Sequence, residues 1–94
     1  MNRMSEICSL AVETYGTNNQ ILQAIEECAE LQTALLHRMR NRVGTYPVID
    51  EIADVTIMLH QLGIIYGQDA IDIVIQEKLS RLKRRIEEVT GAAL

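Results

Sequence analysis

Residues 20–31 read QILQAIEECAEL, and residues 50–55 read DEIADV. Each stretch holds two acids three positions apart, Glu27 with Glu30 and Glu51 with Asp54. Residues at that spacing share one face of a helix, so each pair turns both carboxylates to the same side. Twenty residues separate the pairs, enough to finish one helix, turn, and begin an antiparallel one. The expected product is a helical hairpin with four carboxylates at one level. Such an all-oxygen ligand set suits a hard cation such as Mg²⁺.

Working outward, the punctuation of the chain supports helices throughout. Gly16, Gly44 with Pro47, and Gly67 divide it into four segments, and each reads as a helix. The first is expected from about Met4 to Tyr15, with Ile7, Cys8 and Ala11 on its inner face. Gly16 ends it, and Thr17 or Asn18 caps the second, which runs to about Asn41 with Ile21, Leu22, Ile25, Ala29, Leu36 and Met39 as one stripe. The third starts near Pro47, a favoured first-turn residue, and runs to Tyr66. The fourth starts near Asp69 and carries Ile71, Ile75, Leu79, Leu82, Ile86 and Val89 on one face. With no strand alternation and no internal repeat, residues 1–94 are expected to form a single all-α domain, a four-helix bundle.

Composition narrows the function. The chain is 48% hydrophobic yet has no Phe and no Trp, so its core must come from aliphatic side chains and methionine. So small a chain with so much apolar surface is expected to complete its burial by self-association, as a homodimer or homotetramer. A net charge of −4 argues against nucleic acid as the main partner. Cys8 and Cys28 lack any metal-ligand or redox spacing and read as reduced thiols. The apolar run near residues 52–65 is interrupted by Asp54, His60 and Gln61, so no membrane partner is expected. Nothing at the start reads as a leader, and the expected location is cytoplasmic.

Whether the acids are a site or a wetted edge depends on the helix that bears them. On the second helix Glu26, Glu27 and Glu30 lie roughly opposite Ile25, where any amphipathic helix places glutamates. The third helix is apolar almost all round, and Asp54 shares a face with Ile57, Met58, Gln61 and Ile65. Carboxylates on such a helix need a cation or a proton to be tolerated. Asp50, nearer the helix start, complements the helix dipole and reads as structural. A di-iron bundle would need a His three residues after a ligating Glu. Neither His37 nor His60 stands there, so Mg²⁺ or Mn²⁺ is the expected ion. His60 reads as a core or interface residue, and His37 as part of an exposed basic stretch. On the fourth helix Lys78, Arg81 and Arg85 form a cationic strip, either a solvated flank or a contact for phosphate oxygens.

Taken together, the EExxE pattern within QILQAIEECAEL, the ExxD pattern within DEIADV, the apolar helix around Asp54 and the late basic helix resemble the MazG-like all-α nucleotide pyrophosphohydrolases. The resemblance spans nearly the whole chain. It implies hydrolysis of a nucleoside triphosphate between the α and β phosphates, giving monophosphate and pyrophosphate. It also implies that Glu27, Glu30, Glu51 and Asp54 bind Mg²⁺, that Glu26 or Glu27 helps activate water, and that Lys78 contacts phosphate. Many members carry Asn two residues before that lysine, and this chain has Gln76. Gln20, two turns before Glu27 on the same edge, is an expected contact for sugar or base. Tyr15, Tyr46 and Tyr66 are the only aromatics for stacking on a base. Two other readings share these residues: a phosphoribosyl-ATP pyrophosphohydrolase, and a non-catalytic helical oligomer that binds nucleotide or protein.

Overall fold

The computed structural model describes residues 2–94, and the chain forms the expected all-α four-helix bundle. Helix α1 spans Arg3–Tyr15, α2 Thr17–Met39, α3 Tyr46–Tyr66 and α4 Gln68–Thr90. Asn2 caps α1 by accepting a hydrogen bond from the Ser5 amide at 2.8 Å. The expected Thr17 or Asn18 cap is not used: α2 already includes both, and Gly16 precedes it without a side-chain cap. Pro47 sits in the first turn of α3 as expected, where its missing N–H removes nothing from the helix.

α2 and α3 form the antiparallel hairpin, and α1 packs across both, chiefly on α3. Cys8 is the most deeply buried side chain, 1% exposed, and its thiol points to the Ile57 carbonyl oxygen at 3.8 Å. His60 takes the interior position expected of it, half-buried with Nε2 3.0 Å from Ser5 Oγ. α4 approaches α3 alone. Two glycines lie at that approach. Gly67, at φ 103°, makes the one-residue joint in a conformation that side chains resist. At Gly63 a Cβ would run into the Gln68 amide at the start of α4.

The interior differs from the expected one. On α1 only Cys8 is buried, and Ile7 is half exposed. On α2 the buried residues are Gln20, Ala24 and Ala34, while Leu22, Ile25, Leu36 and Met39 face water. The two alanines explain the choice, since small side chains let α2 lie close along α3 and the bulkier stripe is turned outward. The α4 stripe is likewise open, with Leu79 and Leu82 each 50% exposed. The radius of gyration, 16.7 Å, exceeds the roughly 12 Å typical of 94 compact residues. A single copy therefore leaves two apolar faces in water.

Candidate metal centre

In an antiparallel hairpin, residues equally far from the turn stand opposite one another. Gln20 then meets Gln61, Glu27 meets Asp54, and Glu30 meets Glu51. The first of these contacts is a buried hydrogen bond, Gln20 Nε2 donating to Gln61 Oε1 at 2.7 Å. Two turns further along lie the acids. Glu27, Glu51 and Asp54, all half-buried, offer one carboxylate oxygen each, and these three atoms lie within 4.8 Å of one another. Oxygens around one octahedral Mg²⁺ are separated by about 3 to 4 Å, so a small closure of the side chains gives a coordination sphere.

Two observations test whether a divalent cation fits. The donor set is all carboxylate, which selects hard cations over zinc or iron. In addition, Glu27 Oε2 and Glu51 Oε2 are buried with no hydrogen-bond partner, a costly state for a carboxylate unless something positive completes it. Both favour a cation. The electrostatics agree. Burial, and then the charges of Glu30, Asp54, Glu27 and Asp50, push the Glu51 carboxyl above its ordinary range. Asp54 is pushed the same way by burial, by the charges of Glu27 and Asp50, and by the nearness of the Glu27 carboxylate, which would accept a hydrogen bond only from the protonated form. Every charge acting on these two groups is another acid.

Of the other expected site residues, only Glu30 lies beside this triad. Glu30 is exposed at its edge, close enough to be the strongest neighbouring charge on Glu51. It lines a hollow of about 350 Å³ with Glu51, Thr33, His37 and Val43. His37 is thus half-buried rather than on an exposed stretch, because it follows Ala34 and Glu30 on the inner side of α2 while Leu36 takes the outer side. Glu26 is exposed. Gln20 is 8% exposed and its amide nitrogen is committed to α3. Lys78, Arg81 and Arg85 are exposed along α4, as is Gln76. All three tyrosines are exposed, and Tyr66 lines an apolar groove of about 500 Å³ with Ile25, Cys28 and Leu62.

Two participants escape a reading by acid spacing alone. Gln61 is the partner that fixes the hairpin, signalled by its position seven residues after Asp54, matching Gln20 seven before Glu27. Gln23 donates from Nε2 to Glu27 Oε1 at 2.9 Å, signalled by its place one helical turn earlier. No helix among the described residues is long and apolar enough to cross a membrane. The fold and the triad define an all-α helical protein with a plausible seat for a divalent cation. Compared with family models, curated proteins and solved structures, the chain finds no match.

Proposed function

We propose that the protein is a Mg²⁺-dependent nucleoside triphosphate pyrophosphohydrolase of the MazG-like kind, cleaving between the α and β phosphates. The observation that carries this reading is the pair of buried, unpartnered carboxylate oxygens on Glu27 and Glu51, set beside Asp54 across the hairpin. Glu27, Glu51 and Asp54 would hold the cation, with Glu30 at the rim. Bound there, Mg²⁺ supplies polarisation of phosphoryl oxygens and acidification of water. Glu26, which the triad leaves free, takes the proton from the attacking water as its oxygen bonds to phosphorus, and the phosphoanhydride bond breaks to release nucleoside monophosphate and pyrophosphate. Lys78, Arg81 and Arg85 neutralise phosphate charge. α4 meets its own chain only at α3, and in this reading its bases reach the substrate held by a second copy. Such a homodimer or homotetramer would also cover Leu22, Ile25, Leu79 and Leu82.

The test is pyrophosphate release, with Mg²⁺ and with chelator, across ribo-, deoxyribo- and modified nucleoside triphosphates. Metal-dependent release with matching monophosphate is the expected result. A folded sample that releases nothing from any of them removes this reading in favour of phosphoribosyl-ATP hydrolysis or nucleotide binding without turnover.

A further inference from the structure

We infer that Gln23 is a positioning residue for the metal centre: its amide holds one oxygen of Glu27 so that the other alone serves the cation. The inference rests on the metal reading above. A carboxylate has two equivalent oxygens, and nothing in the residue itself decides how many of them a cation will take. Here the two are made unequal. Oε1 accepts a hydrogen bond from Gln23 Nε2 at 2.9 Å, whereas Oε2 is buried and has no partner. Gln23 is itself half-buried, so this bond is shielded from competing water, unlike a pair on an open helix surface.

The division has a chemical consequence. Mg²⁺ requires near-ideal octahedral geometry at about 2.0–2.1 Å, whereas Ca²⁺ accepts more ligands, longer bonds and bidentate carboxylates. A glutamate restrained through one oxygen is a one-atom ligand. Restraint by Gln23 therefore favours the smaller ion and disfavours Ca²⁺. Without it, Glu27 is free to rotate about its terminal bond and present both oxygens to a larger cation.

The experiment measures binding of Mn²⁺ alone and Ca²⁺ alone by calorimetry, to the wild-type chain and to Gln23→Met and Gln23→Ala. Methionine keeps the length and helix preference of glutamine but cannot donate. Melting curves in chelator accompany each sample, and Gln23→Ala decides the matter if Gln23→Met fails to fold. Mn²⁺ affinity is expected to fall about 10-fold, in line with the loss of other outer-shell partners, while Ca²⁺ affinity falls less. The ratio of the two is the readout that a merely structural glutamine would not move. In a Glu27→Gln background, adding Gln23→Met is expected to change Mn²⁺ binding no further, because the residue acts through Glu27. Unchanged Mn²⁺ affinity and an unchanged ratio, in variants of a wild type that does bind, would overturn the role of Gln23 and leave the metal centre standing. A wild type that binds neither ion would overturn both.

Discussion

Helix α2 of the α2–α3 hairpin and helix α4 are both amphipathic in sequence, and they dispose of their two faces in opposite ways. Along the hairpin the residues turned inward include amides and acids, Gln20, Gln61, Glu27, Glu51 and Asp54, beside the small Ala24 and Ala34 and the buried Met58. The bulky aliphatics of α2, Leu22 and Ile25 among them, face out. On α4 the aliphatics form a clean stripe, yet no residue of that helix is buried. The hairpin has gathered polar side chains of its two helices against one another, and α4 has committed neither side. In so short a chain, an apolar stripe marks surface that some contact will cover. It does not say whether that contact lies within the same molecule.

The contrast breaks first at Glu51. Replacing it with glutamine removes a ligand that the proposed reaction cannot spare. Pyrophosphate release is expected to fall about 1000-fold, the equivalent of about 4 kcal/mol of metal-derived stabilisation, with the helical circular dichroism retained. Turnover near the wild-type level would strip the hairpin of its catalytic meaning. The α4 side is broken by charging its stripe. Leu79→Glu with Leu82→Glu withdraws two side chains whose full burial would stabilise contact by about 1.5–3 kcal/mol each. Sedimentation is then expected to give the mass of one chain where the wild type gives two or four. A wild-type mass identical to that of the variant would mean that no second copy covers this stripe.

Smaller changes sharpen the comparison. Gln61→Leu leaves the Gln20 amide buried without an acceptor, at a cost of about 1–3 kcal/mol in urea denaturation. The double variant with Gln20→Leu should recover much of this, since removing both partners strands neither. An undiminished midpoint in the single variant would deny the amide pair its part in the hairpin. The gentlest probe is pH. Glu51 and Asp54 both sit above their ordinary values of 4.5 and 3.8, so the native chain binds their protons more tightly than the unfolded chain does. With metal chelated, these two groups make stability fall as pH rises from about 4 through their raised values, and it stays lower above them. Mg²⁺ should reverse the loss, raising the melting temperature more at pH 7 than at pH 4.5. A melting temperature insensitive to Mg²⁺ at both values would count against the centre.

Much of this architecture was legible in the residues. Glycine and proline positions locate all four helices, and the two acid spacings bring Glu27, Asp54 and Glu51 together. The inner face of α2 was misread because periodicity ranks faces by hydrophobicity alone. It finds Leu22, Ile25 and Leu36, and is blind to Ala24 and Ala34, whose value lies in their small size. His37 was misplaced for the same reason, being assigned to the outer side with its basic neighbours. The role of α4 was not legible because a stripe such as Ile75, Leu79 and Leu82 looks the same whether its cover is intramolecular or not. The Gln61 contact needed knowledge of which helices are neighbours, whereas Gln23 lies one turn before Glu27 on the same helix and is passed over only by a reading confined to acids.

The bond between Gln20 and Gln61 also bears on how the hairpin comes to be correctly aligned. Two helices of this composition can slide past one another by a turn with little penalty from their aliphatic contacts. Slipping α3 by four residues would set Gln20 against Ile65 and Glu27 against Met58, burying polar groups on apolar ones. The observed alignment mates Gln20 with Gln61, and in that alignment Glu27, Glu51 and Asp54 meet. The uncharged pair thus acts as an index mark for assembly, fixing the relative travel of the two helices without help from carboxylates that repel one another.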